Sequence, residues 1–396
     1  MGSHQRSSEV ISALFCLAQV SSVPQISEYQ TQNTRSIAIE AIVKLPSLNH
    51  AQRYVLSQSL NIAVQMTPEY GNKDVLRILK TGTRFRLYQA ADHIRIGLTV
   101  DPQDYGPGLS LMHSVLTNPT FLQDTLKVRR TTIINPWSPA YRGYESQETN
   151  LVRDEIMALW RGVMRPKSIS IAVSGRFRTN DPSEKWRGMQ SGWVYDGPAQ
   201  LPLSYPPKPK ISPNSPPILV FDSKPIAISK DSLVRYLLAA NALGIGKESL
   251  QWLVAREGLN LSYRQEAFLL PTVEGWRFRM AFATDLEGVK PEVIIDLRTK
   301  LRAKCENLSQ QNLDHAVGLG KGYLTHQLPN LPLVLGIGEV LSGDANDDLY
   351  IQHYFRTMFG FEWNAESLLT QMQAVPISDL KKLLLKIIDE SDARIL

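Results

Sequence analysis

Cysteine is scarce in this sequence of 396 residues, which holds only Cys16 and Cys305, far apart along the chain. Two distant thiols exclude a disulfide framework and a cysteine-rich zinc module. Long apolar runs are also absent, since none reaches the roughly 20 residues that a membrane-spanning helix needs, so we expect no membrane span. A chain of this length can bury large cores in two or three domains, so it requires neither a disulfide nor a metal for stability.

Concentrated charge of one sign is a further absence. The 43 Lys and Arg residues exceed the 38 Asp and Glu residues only slightly, and no block of five like charges occurs. No motif interleaves aromatic and basic residues in the manner of a nucleic-acid-binding surface. We therefore expect no nucleic-acid partner.

The N-terminal segment has two interpretations. Residues 10–20 are apolar, follow Arg6 and precede Ser21 and Ser22. This pattern has the length of a signal-peptide apolar region, although Glu9 fits it poorly, and a first buried helix is the alternative. If residues 10–22 are a signal peptide, we expect a periplasmic or secreted protein; otherwise the prediction is a cytoplasmic one.

A proline-rich segment divides the chain. Residues 201–217 read LPLSYPPKPKISPNSPP, and prolines at this density form neither a helix nor a central strand. They favour an extended, semi-rigid linker. The sequence therefore predicts an N-terminal domain over residues 24–200, a linker over 201–217 and a C-terminal domain over 218–396.

The two halves have similar patterns, which indicates an internal repeat. Each predicts a strand, an amphipathic helix, a pair of adjacent strands and another helix. The predicted strands are 37–44, 85–89, 94–100, 168–174, 218–221, 263–270 and 276–284; the predicted helices are 51–65, 106–116, 145–160, 231–243 and 290–304. This order predicts an α+β fold with two homologous lobes, each a mostly antiparallel sheet with helices packed on one face.

The most informative motif spans residues 243–263, LGIGKESLQWLVAREGLNLSY. It predicts a glycine-containing turn, a helix over 247–257 and then a strand. We expect Gly258 to end the helix in the left-handed conformation. Arg256 falls in the last turn, where a cation interacts favourably with the helix dipole.

This motif resembles the C-terminal domain of the insulinase/pitrilysin-type metallopeptidases, which include the mitochondrial processing peptidase. Members of that family carry Leu-Gly-Gly-Gly, then Ser-Arg-Leu, Arg-Glu, Gly-Leu and Tyr in this order. The present sequence departs from the pattern at Ile245 and at Leu250-Gln251. The resemblance implies that Arg256 and Tyr263 bind the substrate peptide; the alternative is a helix-end Arg and a half-buried strand Tyr.

The zinc ligands of the family have no counterpart. An active member needs His-x-x-Glu-His on the first helix, where two His side chains bind zinc and Glu activates water. The helix over 51–65 holds no His, Asp or Glu, and no two of the seven histidines lie within five residues of each other. Asn135-Pro136 stands where the distant Glu ligand would be sought, and we interpret Glu148, Asp154 and Glu155 as a solvent-exposed face. We therefore predict no catalytic residue, no metal site and no cofactor.

Another glycine-rich segment, Gly318 to Gly322, lacks the spacing of a phosphate-binding loop and predicts a turn between helices.

Three functional hypotheses follow. The first is a catalytically inactive peptidase-family subunit that binds peptide, by strand addition at a sheet edge, and complements a homologous zinc-containing subunit as a heterodimer, or pairs with itself. The second is a structural or scaffold protein of the same fold with no role in peptide cleavage. The third is an active peptidase with an unusual metal site.

Overall fold

The computed structural model describes residues 24–31, 35–48, 50–65, 67–79, 85–90, 92–121, 127–128, 149–150, 153–189, 217–272, 275–284, 290–325 and 345–395. The candidate signal segment and the linker up to residue 216 lie outside these ranges. So do Asn135, Pro136 and Glu148.

The described residues form nine strands of four or more residues and eleven helices. The strands are β1 Gln25–Gln30, β2 Ile37–Lys44, β3 Arg86–Gln89, β4 His93–Val100, β5 Ile169–Gly175, β6 Ile218–Asp222, β7 Arg264–Thr272, β8 Gly275–Ala283 and β9 Asp392–Ile395. The helices are α1 His50–Ala63, α2 Asn72–Ile78, α3 Tyr105–Thr117, α4 Arg153–Val163, α5 Asp181–Met189, α6 Lys230–Gly244, α7 Pro291–Glu306, α8 Gln310–Thr325, α9 Ala345–Phe359, α10 Ala365–Gln373 and α11 Ile377–Glu390. None of these helices has the length and apolarity to cross a bilayer.

Each half of the chain builds one sheet. The first has the strand order β1-β5-β2-β4-β3 and the second β9-β6-β8-β7. All pairings are antiparallel except that of β1 with β5. Four strands therefore follow the same order in both sheets, which agrees with the predicted α+β class and with two similar lobes.

The alternating apolar residues of the strands face the helices, as the period of two predicts. In β4 these are Ile94, Ile96, Leu98 and Val100, all buried in the first core. In β8 the corresponding set is Trp276, Phe278, Met280 and Phe282, buried in the second.

The other face of the first sheet is covered by α9, which comes from the second half of the chain. Leu349 of this helix packs against Ala38 of β2 and Ala172 of β5. The prediction that helices pack on one face of each sheet was thus incomplete, because α9 covers the second face of the first sheet. The lobes share a buried interface.

An ion cluster lies inside this interface. The Arg95 guanidinium donates to Glu40 at 2.7 and 3.0 Å and to Asp347 of α9 at 3.1 and 3.2 Å. Burial raises the pKa of Glu40, an effect that Arg95 offsets in part. Burial alone would lower the pKa of Arg95, but Glu40, Tyr350 and Asp347 together outweigh burial and raise it.

Two predictions about local structure were wrong. The glycine-rich segment 318–322 lies within α8 rather than in a turn. Gly320 allows close helix packing, since a Cβ there would lie 2.6 Å from Met372 Sδ. The helix predicted over 145–160 begins at Arg153, after a two-residue strand at Thr149–Asn150.

Candidate functional site

The turn before the motif helix owes its shape to two glycines. Gly244 ends α6 so close to β7 that a Cβ would lie 2.0 Å from the Ala267 backbone nitrogen. Gly246 has a φ of +81°, in the left-handed region that glycine adopts readily. These requirements explain why the motif places glycine at both positions while it tolerates Ile245 between them.

The helix that follows contains a π-helical segment. After a first turn at Leu250 and Gln251, residues Trp252–Gly258 form a π-helix, a rare conformation that occurs often at functional sites. Buried Ser249 caps its start by accepting the Trp252 N–H at 3.3 Å. Arg256 lies in its last turn, as the sequence predicted.

The loop that ends this helix is held by backbone hydrogen bonds. The N–H groups of Leu261 and Ser262 both donate to the Ala255 carbonyl, at 2.7 and 3.4 Å. The left-handed residue of the loop is Asn260, with a φ of +52°. The prediction that Gly258 takes this conformation was therefore wrong, because the chain reverses two residues later.

Arg256 and Tyr263 come together at the surface of the second lobe. The guanidinium carbon of Arg256 lies 3.5 Å from the centroid of the Tyr263 ring, a close cation–π contact. Arg256 is half-buried, and Tyr263, at 75% exposed, is the most exposed large apolar side chain in the described part of the chain. Arg256 Nη1 also donates to Asn260 Oδ1. We call Arg256, Asn260 and Tyr263 the Arg256–Tyr263 site.

The carboxylates near this site in the sequence have other partners. Glu257 accepts from Trp252 Nε1 at 3.1 Å. Glu266 forms an ion pair with Arg264 at 2.9 Å; burial raises its pKa and Arg264 offsets part of that rise. Neither carboxylate neutralises Arg256.

The region that would hold zinc in the resembled family does not have a matching donor set. After His50, α1 contains no His, Asp or Glu, and in the described ranges no three such residues form a group that could hold a metal ion. In α4, Asp154 is exposed and Glu155 is half-buried. The described residues therefore do not fit a zinc centre of the His-x-x-Glu-His type.

Comparison with known proteins gives structural matches. No protein-family model matches this sequence, and no curated protein matches it either. A solved protease from Helicobacter pylori superposes with a TM-score of 0.68 at 14% identity, over 95% of this chain and 97% of that one. This chain has the same fold. A peptidase M16 inactive domain from Pseudomonas fluorescens gives 0.68 at 15% identity, over 94% and 95% of the two chains.

A third structure, named as an insulinase family protease from Yersinia pestis, has a TM-score of 0.56 at 13% identity and covers 95% of this chain and 90% of its own. These matches extend the likeness from the motif at 243–263 to almost the whole chain. At this level of identity they establish the fold. Asn260 carries no motif, and its one signal in the sequence is its residue type, because asparagine is among the few residues that tolerate the left-handed conformation.

Proposed function

We propose that this chain is a non-catalytic subunit of the M16 peptidase fold, which binds an extended peptide and complements a zinc-bearing partner of the same fold. The observation that carries the proposal is the Arg256–Tyr263 site. A half-buried guanidinium in contact with an exposed phenol ring offers several fixed donors to peptide carbonyl groups. The substrate-binding roles of Arg256 and Tyr263 are part of this proposal.

The unusual composition of α1 supports the non-catalytic part of the proposal. A chain without a second His or a carboxylate on this helix cannot activate water in the manner of the resembled family. The Pseudomonas fluorescens structure that has the same fold is named as an inactive domain, and this supports the proposal that the present chain is also inactive. The domain division at 24–200, 201–217 and 218–396 remains a prediction.

A scaffold protein of this fold is the second candidate. A scaffold needs no solvent-accessible Arg–Tyr pair, so in a scaffold both side chains could be packed in the core. The half-buried Arg256 and the exposed Tyr263 favour the peptide-binding role. We therefore place the scaffold second.

The test mixes the purified chain with a zinc-bearing homologue of the same fold and measures hydrolysis of a fluorogenic peptide. The mixture should exceed the partner alone, and Arg256→Ala should reduce that gain about tenfold or more, because a charged hydrogen-bond donor is lost. Arg235→Ala is the matched control, since Arg235 makes only a long, 3.9 Å contact at the surface. If the mixture gains nothing over the partner, the complementation proposal is wrong.

Metal removal distinguishes the roles of the two chains. A chelator should abolish hydrolysis by the mixture, because zinc is placed in the partner, but leave the melting temperature of this chain alone unchanged. Stoichiometric zinc in the freshly purified chain would contradict the proposal and favour the third hypothesis, an active peptidase with an unusual metal site.

A further inference from the structure

The donor groups of Arg256 are only partly used. A guanidinium carries five N–H donors in a planar fork, and Nη1 of Arg256 donates to Asn260 Oδ1. Within the described part of the chain, no acceptor contacts Nε or the second terminal nitrogen, Nη2. The Nε–Nη2 edge therefore presents two parallel donors, the geometry that binds the two oxygens of a carboxylate.

The orientation of this edge is set by its surroundings. Tyr263 stacks on the plane of the guanidinium at 3.5 Å, while Asn260 holds Nη1. Asn260 is itself held, because the N–H of the next residue, Leu261, donates to Ala255 O at 2.7 Å. A donor pair fixed before binding loses less conformational entropy when a ligand arrives.

The charge of Arg256 is also left uncompensated. In the described residues no carboxylate lies within ion-pair distance of Arg256. The nearby carboxylates in the sequence, Glu257 and Glu266, contact Trp252 and Arg264 instead. Asn260 supplies a neutral acceptor, which orients the guanidinium without cancelling its charge. An anionic ligand therefore gains more at this position than a neutral carbonyl.

We infer that the Arg256–Tyr263 site selects a peptide carboxylate and that Asn260 is the positioning residue that aims Arg256 at it. This inference rests on the proposed function and adds the chemical class of the group that is recognised. The carboxylate comes either from the C-terminus of a peptide or from an acidic side chain. The two sources share the same chemistry and are separated by the probes below.

The experiment follows the rate at which phenylglyoxal modifies Arg256 in the full chain, read by mass spectrometry of the tryptic peptides. One probe pair is acetyl-tetra-alanine with a free carboxylate and the same peptide as an amide. The second pair is an amidated acetyl-tetrapeptide with a central Glu and its Gln counterpart. A bidentate charged contact should let the anionic member protect Arg256 at about fivefold lower concentration than the neutral member.

Two variants test the role of Asn260. Asn260→Gly keeps the left-handed backbone but removes the acceptor, so Arg256 should react faster with phenylglyoxal and the preference for the anionic probe should shrink. Asn260→Asp places a competing carboxylate on Arg256 and should abolish the preference for the anionic probe. A purely structural role would change protection by both members of a probe pair equally.

The outcomes distinguish carboxylate selection from peptide binding as such. Equal protection by anionic and neutral peptides overturns the carboxylate inference and leaves the proposed peptide binding standing. Protection by neither contradicts both. An unchanged preference in Asn260→Gly and Asn260→Asp contradicts the positioning role of Asn260. Preference for the free C-terminus alone, or for the Glu probe alone, identifies the source of the carboxylate.

Discussion

Arg95 and Asp347 form a buried ion pair across the interface between the two lobes, although they lie 252 residues apart in the sequence. Arg95 belongs to β4 of the first sheet, and Asp347 belongs to the first turn of α9, where the helix dipole favours an anion. Glu40 binds the same guanidinium from β2. A Cβ on Gly97 would lie 2.4 Å from the Glu40 carboxylate, so this glycine makes room for the cluster.

Removal of the Asp347 charge should destabilise the whole chain. Asp347→Asn leaves Arg95 buried with one carboxylate fewer, which should lower the free energy of unfolding by about 3 kcal/mol. The measurement is chemical denaturation followed by circular dichroism. Asp296→Asn is the matched control, because Asp296 pairs with Lys300 at 2.9 Å on an exposed helix face and should cost less than about 0.5 kcal/mol. Equal losses in the free energy of unfolding would show that the buried ion pair stabilises the protein no more than the exposed one.

The same interface predicts that the lobes stay together after the chain is cut. A site-specific protease sequence inserted between residues 205 and 213 should allow cleavage of the linker. The two fragments should then elute together in size-exclusion chromatography, because α9 remains buried against β2 and β5. Separate elution at micromolar concentration would mean that the interface depends on the covalent link.

Gly244 and Gly318 should respond in opposite directions to alanine. Gly244→Ala would push a Cβ into the β7 backbone, 2.0 Å from Ala267 N, and should cost about 3 kcal/mol or more. Gly318 lies inside α8 with nothing within 4 Å of an added Cβ, so Gly318→Ala should stabilise the protein by about 1 kcal/mol. Thermal denaturation of both variants checks this, and a stable Gly244→Ala would contradict the close approach of α6 to β7.

His353 should make stability depend on pH. This residue of α9 is 0% exposed; burial lowers its pKa to about 4, a shift that the Ser170 backbone offsets in part and that Arg356 increases. The unfolded chain therefore binds the proton more readily, and stability should fall as the pH drops below about 6.5, by about 2 kcal/mol from pH 7 to pH 5.

The test of this pH dependence compares wild type with His353→Gln at pH 8 and at pH 5. The difference at pH 8 reports packing alone, because the histidine is neutral in both the folded and unfolded states there. The variant should lose less stability than wild type between the two pH values. Parallel losses in the two proteins would rule out His353 as the source.

Much of the fold could be predicted from sequence because it follows from local pattern. Strand β2 has the predicted bounds, and the alternating residues of β4 and β8 face the core as expected. Strands β1 and β9 were missed, since short edge strands with little apolar alternation carry a weak signal. The helical state of 318–322 was missed because glycine normally disfavours a helix; the close packing of Met372 of α10 explains the glycine at position 320.

In the candidate site, too, the sequence predicted which residues are involved but not how they are arranged. The spacing of the motif pointed to Arg256 and Tyr263, but their stacking depends on where the chain reverses, and that residue is Asn260 rather than the expected Gly258. The reversal is set by hydrogen bonds to Ala255 O, which no pattern of residue types encodes.

By itself, the sequence determined the α+β class, the two similar halves, the motif with Arg256 and Tyr263, and the lack of a zinc-binding pattern on α1. These properties depend on residue type and short-range period, which can be read along the chain. Only the tertiary structure decided that α9 packs against the first lobe and that Arg95 binds Glu40 and Asp347 in the buried interface between the lobes. The burial of a charge is stable only when partners from distant segments converge on it, and that convergence exists only in three dimensions.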